Sequence, residues 1–478
     1  MVRKGWKKER TELVRKNDVI TLNIHDIHRD GMGVGRYTVD TADDTNKQGI
    51  AVFVEGALPG DVLKVKILKV KKNYAYGKIE EITTLSPGRL PPNGDICWDA
   101  KRCGGCIFQH YAYSYQLEFK TKIVRDALTR IGHCENPPMR DIIGMENPYR
   151  YRNKAQFVVD EHDGLLTLGF YAPRSHDFVW IDNCPIHHSI CDVVIRVVGD
   201  MPAELGLQTL SGLLLHVIVK VGFATGEVMV VLVVASDDFP EQDKAKWVKA
   251  LSVISGCTSV VLNINTTKSN VILGSTFETL YGGGYVHEII GHIRYRISAR
   301  AFFQVNPVQT KVMYDTVREF GDFIGTELVI DAHTGIGGIG LYVAEHVKEV
   351  IGVEIIPEAV EDAIYNANLN GIANVQFLKG AAEEIIPEML GKGTVPDVLI
   401  FDPPRKGCAE PLINAAINAK ISKIIYVSCD PATLARDITL LDNGGYQLEK
   451  VQPIDMFPMT GHVETVCLLV RKSANPLV

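Results

Sequence analysis

Leu328-Val329-Ile330-Asp331 leads through Ala332 into His333-Thr334-Gly335-Ile336-Gly337-Gly338-Ile339-Gly340. A short apolar run that ends in an acid and opens into glycines predicts a buried strand, a tight loop and a helix start. Glycines at such a junction let the backbone pass close to a bound cofactor. Further β-rich runs follow: Val350-Ile351-Gly352-Val353-Glu354, Val375-Gln376-Phe377, Val398-Leu399-Ile400-Phe401-Asp402 and Ile424-Ile425-Tyr426-Val427. Helical stretches such as 357–370 separate them. Strand and helix alternating over residues 301–478 predict a doubly wound, Rossmann-like parallel sheet.

In such a sheet, ligands bind at the carboxyl ends of the strands, so the strand ends carry the chemistry. Glu354 closes a strand about 20 residues after the glycine loop, where a carboxylate accepts ribose hydroxyls. That much fits a dinucleotide or S-adenosylmethionine equally. Asp402-Pro403-Pro404-Arg405-Lys406-Gly407 stiffens the next strand end. A rigid Asp-Pro-Pro wall suits a planar base better than a hydride acceptor, which favours S-adenosylmethionine. Ser428-Cys429-Asp430-Pro431 places Cys429 where a buried strand emerges, just before a helix beginning near Ala432. The helix dipole and Arg436 are expected to lower the thiol pKa. Glu464 precedes the apolar run Val466-Cys467-Leu468-Leu469-Val470. A carboxylate in that setting is expected to have a raised pKa, useful for proton transfer.

Upstream, residues 17–82 read as short strands: Val19 to Ile24, a glycine loop at Gly31, Gly33 and Gly35, then Ile50 to Val54 and Val62 to Val70. The last alternates apolar residues with Lys64, Lys66 and Lys69, predicting one core face and one cationic stripe. Tyr74 and Tyr76 interleave with Lys71, Lys72 and Lys78. This fits a small OB-like barrel that holds RNA. Pro87, Pro91, Pro92 and Gly94 mark a linker. Residues 150–300 read as mostly strands, and 115–131 as an amphipathic helix.

Cys97, Cys103 and Cys106 are spaced C-x₅-C-x₂-C around Gly104 and Gly105, and Cys184 follows downstream. Four thiolates suit a [4Fe–4S] cluster or tetrahedral zinc, and His187 and His188 keep zinc in view. The radical-type C-x₃-C-x₂-C spacing is absent, so the centre reads as structural.

The chain has 478 residues, 46% of them hydrophobic and 22% charged, which excludes a disordered or collagen-like polymer and predicts several domains. No apolar run is long enough for a membrane span, and the basic start leads into no apolar segment, so the expected location is cytoplasmic. Net charge is −7, but it is unevenly spread: +5 over residues 1–80, −2 over 81–300 and −10 over 301–478. A basic front end on an acidic body points to an anionic partner at the N-terminus.

Taken in order, Phe302-Phe303-Gln304-Val305-Asn306, the glycine loop, Glu354, the Asp402 motif, Ser428-Cys429-Asp430-Pro431 and His462-Val463-Glu464 resemble the S-adenosylmethionine-dependent RNA uracil-5-methyltransferases. Tyr151-Arg152-Asn153-Lys154 also matches a family segment, and the N-terminal stretch looks like the family's TRAM domain. The resemblance implies three domains: a TRAM-like OB-fold over 9–82, a mostly β central domain with a cluster loop over 90–300, and a class I methyltransferase over 301–478. It implies Cys429 as nucleophile, Glu464 as base, and Gln304, His333, Glu354 and Asp402 as cofactor contacts. It also implies Cys97, Cys103, Cys106 and Cys184 as ligands of a [4Fe–4S] cluster. Family members with both TRAM domain and cluster modify 23S ribosomal RNA, while the tRNA branch lacks both, which implies a ribosomal substrate and no obligate protein partner. Arg150, Arg152 and Lys154 are expected to meet phosphates. His333 and Thr334 stand where the family has Tyr-Cys, Asp430 where Asn is usual, and Gly461 where His is usual. A base N-methyltransferase and a non-catalytic ribosome-assembly factor are the alternatives.

Overall fold

The computed structural model describes residues 13–38, 49–91, 97–162, 165–205, 213–267 and 269–472. The expected domain start at residue 9, and Pro92 and Gly94 of the linker, lie outside them. The chain divides into two compact units: Met1–Ala100 with Gly105–Phe119 and Met459–Gly461, and Lys101–Gly104 with Lys120–Pro458 and His462–Val478. Helices α1 (Ala100–Cys103) and α2 (Tyr113–Arg130) straddle the division in sequence.

In the first unit, β1 (Val19–Ile27), β2 (Met32–Thr38), β3 (Gly49–Glu55), β4 (Val62–Val70) and β5 (Tyr74–Thr84) close into a barrel in the order β1-β2-β3-β5-β4. Every second residue points inward, so Leu22, Ile24, Val52, Val54, Leu63, Val65 and Ile67 fill the interior. The expected loop at Gly33 and Gly35 is instead part of β2. A Cβ on Gly33 would stand 2.6 Å from Ala57, and one on Gly35 2.5 Å from Leu22. These glycines are there because neighbouring groups come close, not because the chain turns. The lysine alternation of β4 holds from Val62 to Ile67, after which a bulge between Ile67 and Lys69 breaks it.

In the second unit, β6 (Lys154–His162), β7 (Leu165–Tyr171), β8 (Phe178–Trp180), β9 (Leu214–Val221), β10 (Val228–Val234), β11 (Cys257–Ile264) and β12 (Thr276–Gly282) form a seven-stranded sheet ordered β12-β11-β10-β9-β6-β7-β8. Two helices interrupt this mostly β region, α3 (Ile190–Leu205) and α4 (Glu241–Leu251). A hairpin of β13 (Tyr285–Ile290) and β14 (Ile293–Ser298) follows.

The second seven-stranded sheet holds β15 (Leu328–Ala332), β16 (Glu349–Glu354), β17 (Val375–Lys379), β18 (Val398–Phe401), β19 (Lys423–Ser428), β20 (Tyr446–Ile454) and β21 (Glu464–Arg471). Its order is β17-β16-β15-β18-β19-β21-β20. The first five strands run parallel, and β21 slots in antiparallel between β19 and β20. α5 (Pro307–Gly321) leads into the sheet, and the connections between its strands use α6 (Gly338–Val343), α7 (Pro357–Leu369), α8 (Ala382–Gly391), α9 (Glu410–Ala419) and α10 (Pro431–Asn443). Both faces are covered, which is why these strands read as unbroken apolar runs: Val329, Val350 and Ile400 pack on one side, Ile330, Ile351 and Leu399 on the other. Among the described residues no helix is long and apolar enough to cross a membrane.

Candidate active site

The glycine loop is built around Asp331. Its Oδ2 accepts from Thr334 Oγ1 at 2.6 Å and from Gly340 N at 2.9 Å, tying the strand end to both sides of the loop. Burial pushes its pKa up to about 6, although both hydrogen bonds oppose that. Its Oδ1 is buried with no partner among the described residues. His333 takes φ 66°, and Gly335 and Gly337 take 59° and 85°, so the chain visits the left-handed region three times in five residues. Gly335 has open space where a side chain would stand. Glu354 braces the loop from β16, accepting from Gly335 N at 3.0 Å through Oε2 and from Ile356 N at 2.8 Å through Oε1. Each oxygen keeps lone-pair capacity for a hydroxyl. Burial lowers the His333 pKa, leaving a neutral ring whose buried Nδ1 has no partner among the described residues. Two orphaned buried polar atoms beside an open glycine cradle and a ribose-competent carboxylate fit an adenosyl cofactor.

Asp402 follows β18 directly. Burial, then the nearby Asp331 carboxylate, pushes its pKa up to about 7. The Pro403-Pro404 loop after it is clamped by α10. Asp437 Oδ2 accepts from Cys408 N at 2.9 Å and from the Tyr426 hydroxyl at 2.6 Å. Arg436 bonds Asp437 Oδ1 through Nε at 2.7 Å and donates to the carbonyl of Lys406 at 3.0 Å. A Cβ at Gly407, which has φ 77°, would strike the Arg436 guanidinium at 2.5 Å.

Cys429 sits one residue beyond β19 and is partly exposed, whereas Cys408 and Cys467 are buried. Ser428 pairs with Thr465 across the antiparallel β19–β21 ladder. Continuing that register one residue sets Cys429 opposite Glu464, the first residue of β21. The thiol pKa is not lowered. Burial, then Glu464 and Asp402, push it up to about 11, with Arg405 opposing. The expected dipole is already used, because the Asp430 side chain accepts from Ala432 N at 2.9 Å and Thr433 N at 3.3 Å. Arg436 is committed to Asp437, so the cation acting on the thiol is Arg405. Glu464 is 3% exposed, and burial, then Asp402, raise its pKa well above the usual carboxylate range, as expected.

Gln304 is placed from another direction. Its carbonyl accepts from Asn153 Nδ2 at 3.0 Å, and Asn153 N donates to Val305 O at 2.9 Å. Of the three cations expected to meet phosphate, Arg150 is 39% exposed and pairs with Asp192 at 2.7 Å and with the Cys184 carbonyl. Lys154 faces Lys220 across the β6–β9 ladder, and burial lowers its pKa.

Cys97 and Cys106 belong to the first unit, Cys103 and Cys184 to the second. Cys184 Sγ lies 3.0 Å from His187 Nδ1, in a setting whose burial drops the His187 pKa to about 3. Among the described residues no group of three or more His, Cys, Asp or Glu side chains is arranged to hold a metal ion. Two of the four cysteines thus lie in each unit, and no chemistry below is routed through a metal centre.

Sequence reading gave no site role to three residues. Asp331 was legible as an acid ending a strand before glycines. Arg405 was visible within its motif but gave no sign that it would act on Cys429. Tyr314 on α5 had no local signal at all. Its buried hydroxyl pKa is raised by burial, then by Asp402 and Asp331, which places it beside both acids.

A family model described as tRNA (Uracil-5-)-methyltransferase matches residues 113–472, and one described as TRAM domain matches residues 14–79. An uncharacterized RNA methyltransferase of Halalkalibacterium halodurans is 45% identical over 465 residues, covering 96% of this chain and 98% of its own. One of Clostridium acetobutylicum is 40% identical over 466 residues, with 96% and 98% coverage. Among solved structures, the Pyrococcus abyssi tRNA (uracil-54, C5)-methyltransferase in complex with S-adenosyl-L-homocysteine is similar, with a TM-score of 0.72 and 25% identity. The match covers 94% of this chain and all of that one.

Proposed function

Since the chain belongs to the tRNA (uracil-5-)-methyltransferase family, we propose that it methylates carbon 5 of a uridine in 23S ribosomal RNA through a covalent cysteine–uracil adduct. The observation that carries this reading is the partly exposed Cys429, set opposite the buried Glu464 at the cofactor edge of the sheet.

Carbon 5 of uracil is a weak nucleophile. Once the Cys429 proton has gone to solvent, the sulfur electron pair bonds to carbon 6 and the ring's π electrons move onto carbon 5 and oxygen 4 as an enolate. When bound, S-adenosylmethionine supplies an electrophilic methyl group on a sulfonium. Asp331, His333, Glu354, Asp402 and Gln304 are the residues that would hold it. Glu464 then takes the proton from the methylated carbon 5. That carbon–hydrogen pair re-forms the ring double bond, and the thiolate leaves. A raised pKa suits Glu464 to this step, because a carboxylate short of solvation is a stronger base.

The test mixes E464Q with RNA and S-adenosylmethionine. An SDS-resistant protein–RNA adduct accumulates if the reading holds, and its absence from both E464Q and wild type overturns it. C429A loses all transfer. A base N-methyltransferase would keep it, and an assembly factor would release no tritium from 5-tritiated uridine even as wild type.

The ribosomal substrate rests on the TRAM domain and on the four cysteines. Those same cysteines, as a [4Fe–4S] ligand set with zinc as the rival, are part of this proposal, as is a cytoplasmic location alongside the RNA. A second reading has a specific observation in its favour: the similar archaeal structure, aligned over 94% of this chain, is named for tRNA. Mass spectrometry of ribosomal and transfer RNA from a strain lacking the gene separates the two by which pool loses 5-methyluridine.

A further inference from the structure

The connection 455–463 runs from β20 to Glu464 without helix or strand, yet four successive carbonyls in it are held from outside. Asn306 Nδ2 donates to the Met456 carbonyl at 3.0 Å, Lys120 Nζ to that of Phe457 at 2.9 Å, and the Tyr151 hydroxyl to that of Pro458 at 3.0 Å. Ile107 N and Phe108 N both donate to the Met459 carbonyl, at 2.9 and 3.2 Å. The Met459 N–H is taken as well, donating to Gln116 Oε1 at 3.1 Å. Met459 stands at φ 65°. A residue with a side chain keeps that left-handed conformation only where its surroundings over-determine it.

Gln116 on α2 is the centre of this arrangement. Its side chain is fully buried, and Nε2 donates to the Tyr111 carbonyl at 2.7 Å and the Phe108 carbonyl at 3.1 Å. One amide thus fixes both the loop that grips Met459 and Met459 itself, which needs donor and acceptor on the same group. Two residues on, a Cβ at Gly461 would stand 2.0 Å from the Arg29 carbonyl, so the chain is closely confined there too. Glu464 is anchored differently. Its carboxylate accepts no hydrogen bond among the described residues, and only burial and Asp402 act on it. Its position is therefore set by the backbone on either side: the β19–β21 ladder after it and the gripped segment before it.

We propose that Gln116 is a positioning residue for Glu464, acting through Met459. The inference rests on the uracil-5 methylation reading and adds what aims the base. A misplacement of about 1 Å at a reacting group can cost a hundredfold in rate, and a carboxylate with no anchor of its own transmits any backbone shift. Sulfur addition to carbon 6 and methyl transfer to carbon 5 both precede the step that uses Glu464. Loosening the grip on Met459 therefore stalls the reaction late. The methyl group is already bonded to carbon 5, the carbon-5 proton is still in place, and the Cys429–carbon 6 bond is unbroken.

The experiment uses the full chain, total RNA from a strain lacking the gene that carries 5-tritiated uridine, and S-adenosylmethionine labelled in its methyl group. Q116L keeps the bulk and removes both polar atoms. Its turnover falls about tenfold to a hundredfold, with KM for RNA and for S-adenosylmethionine within about twofold of wild type. An SDS-resistant protein–RNA adduct accumulates that holds both the methyl label and the tritium, as in E464Q. A buried Q116E side chain is neutral, keeps an acceptor for Met459 N and one donor for the Tyr111 carbonyl, and falls between wild type and Q116L in both readouts. It carries the test if Q116L does not fold. Q116L turnover within about twofold of wild type overturns the proposal. So does turnover lost without adduct, which marks a merely structural role, and so does an adduct without the methyl label. If E464Q still accumulates adduct in those cases, the functional reading stands. If neither E464Q nor wild type forms one, that reading falls and this proposal with it.

Discussion

At the residue scale, the site is a pocket of acids held short of full ionisation. Asp402 has a raised folded pKa of about 7. A raised acid favours the folded state below its unfolded pKa and loses that contribution as pH climbs through the folded value. Asp402 therefore costs stability increasingly from about pH 4 to about pH 7. The full shift corresponds to roughly 4 kcal/mol. Asp402 is partly exposed, so solvent screening brings the expectation to about 1–2 kcal/mol. D402N should gain that much in urea unfolding of the cofactor-free protein at pH 8 and nothing at pH 4. Arg405 opposes the rise of the Cys429 thiol. R405Q should cut the thiolate about tenfold per pKa unit lost. Adduct formation should slow only about threefold, because a more basic thiolate is also more nucleophilic. The check is the adduct rate against pH, which should climb towards pH 9 and lie lower for R405Q. Cys429 and Glu464 were legible because each stands at a strand end marked by Pro or by an apolar run. The direction of the thiol shift was not legible, because it depends on burial and on Glu464 and Asp402, which the fold brings near from other strands.

At the element scale, two buried polar devices hold the strand ends in place. The approach to Glu464 is fastened by Lys120, whose ammonium reaches Asp455 Oδ1 at 2.5 Å and the Phe457 carbonyl at 2.9 Å, with both charged side chains fully buried. Asn306 Nδ2 adds a bond to Met456 O at 3.0 Å, and the Tyr151 hydroxyl one to Pro458 O at 3.0 Å. K120M strands a buried carboxylate and should cost about 3–5 kcal/mol in urea unfolding, part of which K120M/D455N recovers. Asp437 anchors the Pro403-Pro404 loop to α10, so D437A should cost about 3 kcal/mol and weaken S-adenosylmethionine binding in calorimetry. Element types were largely legible: period-two alternation predicted β4, and apolar runs between helical stretches predicted β15 to β19. Gly33 and Gly35 misled, because glycine in a turn and glycine under close packing look alike in one dimension.

At the scale of the whole molecule, charge and metal content are the testable properties. RNA affinity should fall steeply with salt despite the net −7, because phosphate binding follows local charge and residues 1–80 carry +5. Anaerobically purified protein should show a visible absorption band that C103S and C184S both abolish. Colourless protein with stoichiometric zinc would replace the iron assignment with the zinc one, since zinc is a d¹⁰ ion.

The sequence alone determined the order of the domains, the parallel sheet and the residue types at its carboxyl edge. Those follow from local periodicity and turn chemistry, which a linear string records directly. Only the tertiary structure decided which acids crowd Asp402, which cation faces Cys429, and that β21 returns antiparallel to lay Glu464 beside the thiol. These are effects of burial and proximity between residues far apart in the chain, and no window of sequence contains both partners.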